Sequence, residues 1–419
     1  FKTLALCKHR VGKKRNTMKT KLNYWLLQIT VCICAVLLSC SEDNDNTPLE
    51  SNSTPPGQVK NLTVENLPGK AKLTYSAPAD QDLLYVVARY TLENGTNMEV
   101  KSSYYGNSLL LEGFAGLQDI DVDVYAVNRS ETESEPVTVT VSPELAPVFG
   151  VRESLTAQPD FGGVRIRAEN PNADNIAILV MQKNQDGDYE PLANSIYTSV
   201  TEIDQALRGF DTVSQNFAIT VRDRWFNVTD TLFTDIKPFF ETLMPKANYR
   251  GVNLPNDAEV ICCYPVSNLF DGEFLEYWGS YFTSRTVETE DHLVTFDIGA
   301  TTKLSRLRIW NFSEPIGGQR LYYYLGAMKS FKIWGSNELN DGDLSGWTLL
   351  GEYEIDKPSG LPYGQENNDD LVAAQDGADY EIPFDAPAVR YLRIQCTENW
   401  TGGDFMAVSE VHVYGNPNL

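Results

Sequence analysis

Aromatic rings set beside planar hydrogen-bonding groups suit one kind of chemistry. A pyranose offers an apolar C–H face that stacks on Trp or Tyr, and hydroxyls that pair with Arg, Asp and Asn. Two stretches carry that combination. Gly317-Gly-Gln-Arg-Leu-Tyr-Tyr-Tyr324 gathers three tyrosines and Arg320, with Tyr322 and Tyr323 in the run. Asn399-Trp-Thr-Gly-Gly-Asp-Phe405 presents Trp400 and Asp404, with Gly402 and Gly403 letting the backbone approach a ligand. Tyr281 lies close to Trp278 and Arg285, and Tyr363 sits in the long loop 357–379. Carried on a rigid scaffold, these loops would meet at one rim. For any single ring, packing in the core or at the rim is the competing reading.

The elements that must hold these loops are short strands. His292–Gly299 and Leu304–Trp310, Phe331–Asn337 and Gly346–Leu350, and Val389–Gln395 and Ser409–Gly415 all alternate apolar with polar residues, the period of half-buried strands. Leu307/Ile309, Phe331/Ile333, Leu392/Ile394 and Val411/Val413 would face one core. Many short strands with Gly-rich turns and hardly any helical period argue for a β-sandwich or jelly roll.

The same residues resemble a family. Asp271-Gly272 before Trp278, then Val-Thr-Phe-Asp-Ile-Gly, Arg-Leu-Arg-Ile-Trp, Phe-Lys-Ile-Trp-Gly-Ser-Asn, Arg-Tyr-Leu-Arg-Ile and a final Ser-Glu-Val-His-Val-Tyr-Gly look like a discoidin (coagulation-factor type C) domain of the galactose-binding-like jelly rolls, over 246–419. The resemblance implies binding rather than catalysis, often of sugars, and core positions for Trp278, Trp334 and Trp347. It also implies a structural calcium (Ca2+) in the loop Asn268-Leu-Phe-Asp-Gly-Glu-Phe-Leu-Glu-Tyr-Trp278. Glu273 matches the family's second acidic residue and Glu410 the acidic residue before the last strand. Glu276 stands where the family usually has Thr. With Asn268 and Asp271, these would supply the hard oxygens that calcium requires. The other reading is a loop without metal in which Asp271 caps a turn.

Upstream lie two further all-β stretches. Residues 57–143 contain Gly69–Tyr75, Leu83–Tyr90, Ile120–Ala126 and Pro136–Val141, with a hairpin signal at Asn94-Gly95. Their order resembles a fibronectin type III module with Tyr75 where that family usually has a core Trp. Residues 144–243 repeat the pattern. Phe217, Ile219, Val221, Asp223 and Arg224 follow Val122, Val124, Ala126, Asn128 and Arg129 at a constant spacing, one sandwich per repeat. The shared Asn/Asp-Arg pair reads as strand-end hydrogen bonding. The expected fold is therefore all-β: two tandem immunoglobulin/fibronectin-like sandwiches followed by a discoidin-like β-sandwich jelly roll.

The chain opens on Phe1, and Met18 is the expected translation start. From there a short basic region, an apolar run and Leu37-Leu-Ser-Cys40 read as an export signal over 1–40. Leu-Leu-Ser-Cys resembles the bacterial lipoprotein box, which implies lipidation at Cys40. Ser41-Glu-Asp-Asn-Asp-Asn46 resembles the surface-export signal of Bacteroidetes lipoproteins, and 41–56 reads as an acidic flexible linker. The arrangement resembles accessory lipoproteins of glycan-utilisation systems. It implies an outer-membrane anchor at the cell surface, a glycan ligand and neighbouring glycan-uptake proteins as partners. A protein-binding or adhesion module and an accessory hydrolase are the alternatives.

Residues 1–39 hold eight Lys/Arg and no acid, so the remainder carries 26 basic against 57 acidic residues. That surface repels phosphate backbones and argues against nucleic acid. No Gly-x-Ser-x-Gly, His-Glu-x-x-His or phosphate-cradling loop is present, and His292 and His412 are the only histidines after residue 39. No enzymatic activity is expected. Cys396 would either pair with Cys262 or Cys263 or stay a buried thiol.

Overall fold

The computed structural model describes residues 51–184, 186–261, 263–274, 279–284, 292–340 and 342–419. The chain divides into two compact units, the second made of 113–117 and 144–419. Among the described residues no helix is long and apolar enough to cross a membrane.

The first unit is a sandwich of two antiparallel sheets. Strands β1 (Lys60–Leu67), β2 (Lys70–Ser76), β3 (Leu83–Thr91), β4 (Asn97–Ser103), β5 (Ser108–Glu112), β6 (Ile120–Asn128) and β7 (Val137–Val141) form sheets β1-β2-β5 and β4-β3-β6-β7. Alternation decides which side goes in: Ala71, Leu73 and Tyr75 of β2 are buried, as are Val122, Val124 and Ala126 of β6. Asn94-Gly95 turns β3 into β4, with Gly95 at φ 84° and Asn94 Oδ1 accepting from Thr96 N at 3.0 Å.

The second unit begins with helix α1 (Pro147–Ser154), which has Pro at its start and packs Val148 and Val151 inward. Strands β8 (Thr156–Asp160), β9 (Gly163–Glu169), β10 (Ile176–Lys183), β11 (Tyr189–Pro191), β12 (Ile196–Thr198), β13 (Glu202–Arg208), β14 (Gln215–Asp223) and β15 (Leu232–Ile236) follow. They build sheets β13-β9-β8 and β11-β10-β14-β15, with β12 also on β10.

The repeat seen in the sequence has a structural counterpart at the strand ends. Asn128 Oδ1 accepts from Ser130 N and Thr132 N at 2.9 Å each. Asp223 Oδ1 accepts from Trp225 N at 2.8 Å and Asn227 N at 2.9 Å. Ser134 Oγ and Thr229 Oγ1 then take Ala126 N and Val221 N, at 3.0 and 3.1 Å. The shared Asn/Asp builds the same turn twice, as strand-end hydrogen bonding requires.

The C-terminal sandwich comprises β16 (Thr242–Leu243), β17 (Arg250–Val252), β18 (Tyr281–Phe282), β19 (His292–Asn311), β20 (Glu314–Ile316), β21 (Gln319–Leu321), β22 (Met328–Ser336) and β23 (Thr348–Glu354). Helix α2 (Asn368–Asp376), β24 (Ala378–Glu381), β25 (Val389–Asn399) and β26 (Ala407–Asn416) complete it. The two segments expected around Gly299 are one long strand, β19, that serves both layers. Its first half pairs with β17 and β25, its second with β24 and β26. The register shifts between Asp297 and Thr302, around Gly299 at φ 86°. Leu307, Ile309, Phe331, Ile333, Leu392, Ile394, Val411 and Val413 all lie in one buried cluster. Each such side chain contributes about 1.5–3 kcal/mol by leaving water.

Arg393, fully buried, ties this sandwich together. It donates to Thr295 Oγ1 at 2.8 Å, to Gly342 O at 2.8 Å and Asp343 O at 3.0 Å, and pairs with Asp257 at 3.3 Å. A second charged set joins the two sandwiches of this unit. Glu381 accepts from Arg208 Nη1 and Nη2 at 2.6 Å each and from Arg165 Nη2 at 2.9 Å.

Candidate functional site

At the expected rim, the structure gathers a hairpin and a long loop around the tyrosine run. The hairpin β20–β21 leads into Tyr322-Tyr-Tyr324. Loop 357–379 folds over that run and is pinned to it by Glu366, whose Oε1 accepts from Tyr322 N at 2.9 Å and Tyr323 N at 2.8 Å. Tyr363 lies against Tyr324 with ring centroids 4.6 Å apart and planes 15° apart. Its hydroxyl accepts from Leu325 N at 3.4 Å. Tyr363 is 46% exposed. Trp400 meets Tyr323 edge-on, at 5.4 Å and 90°. Arg320 is exposed on the hairpin and donates to Ser313 Oγ at 3.0 Å.

The loop over these rings is fixed by its own chemistry. Asn367 Oδ1 accepts from Asp369 N at 2.9 Å and Asp370 N at 3.1 Å, while Asp370 Oδ2 accepts from Asn367 N at 3.0 Å. This reciprocal capping box starts α2. Asp370 is fully buried and also takes Ser359 N at 2.9 Å and Ser359 Oγ at 2.6 Å. Burial opposes its ionisation, yet these hydrogen bonds hold its carboxyl below the usual range. Gly377 ends the helix at φ 71°, where a Cβ would meet the Trp310 indole at 2.3 Å, so no larger residue fits. Gln375 Nε2 donates to the Tyr322 hydroxyl at 3.0 Å and so ties the helix back to the run.

Not every expected residue reaches the rim. Tyr281 is 1% exposed within the core cluster and paired opposite Val408, so its ring has no face for a ligand. Tyr322 and Tyr323 are also buried, and burial pushes the Tyr323 hydroxyl up to about 12. They support the rim from beneath; the accessible stack belongs to Tyr324 and Tyr363. Asp404 is turned toward His292, with Oδ1 3.0 Å from Nδ1. Gly402 is needed for its conformation, φ 80°, in the turn that Asn399 Oδ1 closes by accepting from Thr401 N at 2.9 Å and Gly403 N at 3.0 Å.

The expected cation loop is described over residues 268–274. Glu276, Tyr277, Trp278, Arg285, Cys262 and Cys40 lie outside the described residues. Asp271 Oδ1 accepts from Glu273 N at 2.8 Å, a turn cap. Asn268 is buried and donates from Nδ2 to Ser280 O at 3.0 Å. Glu410 is fully buried; its Oε1 pairs with Lys246 Nζ and its Oε2 accepts from Gly272 N at 3.0 Å. Among the described residues no group of three or more His, Cys, Asp or Glu could hold a metal ion. With both oxygens taken by protein donors, Glu410 as placed here turns neither toward a metal cation. Cys396 forms no disulfide; its thiol is buried, and that burial pushes it up to about 12, which makes it inert.

Three family models match, each described as a domain of unknown function: DUF4959 over residues 56–143, DUF5126 over 144–247 and DUF5000 over 270–415. No curated protein matches the chain. Among solved structures, the C-terminal domain of a chitobiase from Bacteroides fragilis is 13% identical over 42% of this chain and 98% of that one, with a TM-score of 0.29. A two-domain fibronectin type III segment from chicken tenascin is 16% identical over 43% of this chain and 99% of that one, at a TM-score of 0.21. A solved SusE-like protein is 30% identical over 64% of this chain and 98% of its own length, with a TM-score of 0.42. By that identity, carried across nearly all of the relative, the chain belongs to the SusE-like proteins.

Proposed function

We propose that this protein binds a glycan at the cell surface as part of a glycan-utilisation system, and that the C-terminal sandwich does the binding. The observation that carries the reading is the Tyr324–Tyr363 stack, 4.6 Å and 15°, with Tyr363 46% exposed. A flat ring held open on a pinned loop is suited to the C–H face of a pyranose, because little side-chain freedom is left to lose on binding. Arg320 on the adjoining hairpin supplies a planar donor for ring hydroxyls. Membership among the SusE-like proteins supports the same reading. In it, Cys40 carries the lipid that anchors the chain to the outer membrane, and the capture site works beside neighbouring uptake proteins.

A glycan array probed with the full chain tests the proposal, followed by calorimetry on the strongest ligand. The expected result is selective binding of one glycan class, weakened by alanine at Arg320 or Trp400. An array with no selective binder, accompanied by co-purification of a surface protein that binds the same loops, would replace the glycan reading with a protein-binding one.

A further inference from the structure

We infer that Lys246 is a built-in cation: its ammonium takes the Glu410 carboxylate that a metal ion would need, so Glu410 and the Asp271-Gly272 turn bonded to it are held without calcium. The inference does not depend on which ligand the rim takes.

Both oxygens of Glu410 are already committed, Oε1 to Lys246 Nζ and Oε2 to Gly272 N at 3.0 Å. With Glu410 fully buried, such a carboxylate needs a compensating positive charge. Lys246 meets that need from outside the loop. It follows Pro245 at the start of the 3₁₀ turn Lys246–Asn248, and its Nζ lies over the Phe274 ring, 5.5 Å from the ring's centre. The incoming chain is held to the same strand twice: Thr242 and Leu243 pair with Gly415 and Tyr414, and Lys246 pairs with Glu410. Two of the other expected ligands are used elsewhere. Asp271 caps the turn at Glu273 N, and Asn268 reaches Ser280 O. Calcium takes six to eight oxygens, and an ammonium already on the central carboxylate repels a divalent ion. One lysine thereby does two things a metal would do: it neutralises Glu410 and fastens the loop to the last strand.

Thermal melts of the full chain in millimolar calcium chloride and in EDTA, with calcium calorimetry, test this directly. Wild type is expected to melt within about 1 °C in both and to give no saturable heat. At pH 8, Lys246→Met should lower the melting temperature by roughly 5–10 °C, since it leaves the buried Glu410 without its cation. Lys246→Met/Glu410→Gln should regain at least half of that loss. Saturable calcium binding by wild type, or a calcium-dependent rise of several degrees, overturns the inference. So does a Lys246→Met protein that melts like wild type, or a double variant no more stable than the single one.

Discussion

Two arginines of the C-terminal sandwich face opposite fates. Arg393 is fully buried, lies 4.8 Å from the centre of the Trp347 ring and spends its donors on Thr295, Gly342, Asp343 and Asp257. Arg320 stands exposed on a hairpin beside the tyrosine run. The tyrosines divide the same way: Tyr322 and Tyr323 are buried, while Tyr363 presents its ring. Residue type names the chemistry, but depth decides who receives it. A buried guanidinium positions backbone, whereas an exposed one on a hairpin can meet a ligand.

The comparison breaks most visibly at Arg393. Arg393→Ala leaves Asp257 buried without its partner, at about 3–5 kcal/mol, so the melting temperature should fall by roughly 10 °C. Arg320→Ala should leave it unchanged within about 1 °C and weaken glycan binding instead, by roughly tenfold for about 1.4 kcal/mol. Equal melting losses in calorimetric scans of the two variants would erase the distinction. Trp400→Ala tests the boundary between the classes, because this ring braces Tyr323 and borders the rim; it should lose both stability and binding.

The paired turns sharpen the same lesson in the two fibronectin-like sandwiches. Asn128→Ala and Asp223→Ala each remove a side chain that accepts two backbone N–H groups, at about 1–2 kcal/mol apiece. Denaturant melts should show similar losses for both, and a large difference would mean that the turns do unequal work.

The smallest net effect concerns pH. Burial foremost, against Lys246 and Gly272 N, holds Glu410 up at about 7. Burial, then Lys246, Arg308 and Arg306, holds His412 down at about 4. Folded Glu410 keeps a proton that the unfolded chain releases near 4.5, so its contribution falls as pH rises from about 4.5 to 7. Folded His412 lacks a proton that the unfolded chain binds below 6.5, so its contribution rises with pH from about 4 to 6.5. In their shared range the slopes oppose. Melting temperature against pH should rise more steeply there in Glu410→Gln and fall in His412→Phe, relative to wild type.

The strands were legible because each buries one face, and a period of two writes that face into Leu307/Ile309 or Val411/Val413. The repeated turns were legible because Asn128 and Asp223 recur at the same place in a repeat. Depth within the tyrosine run was not legible: three consecutive tyrosines before a loop carry no period, and only the fold shows which rings lie beneath. Helix α2 left a local mark in Asn367, Asp370 and Gly377, a capping box followed by a glycine stop, inside what reads otherwise as loop. Lys246 left none, because its partner Glu410 is far away in sequence and nothing around a lone lysine after a proline names the charge it will meet.

The most direct measurement compares calorimetric titration of wild type and Tyr363→Ala with the strongest array ligand. The account predicts measurable binding by wild type and a loss of at least about tenfold in the variant, with both proteins melting within about 2 °C of each other. Undiminished affinity in a folded Tyr363→Ala protein would contradict it.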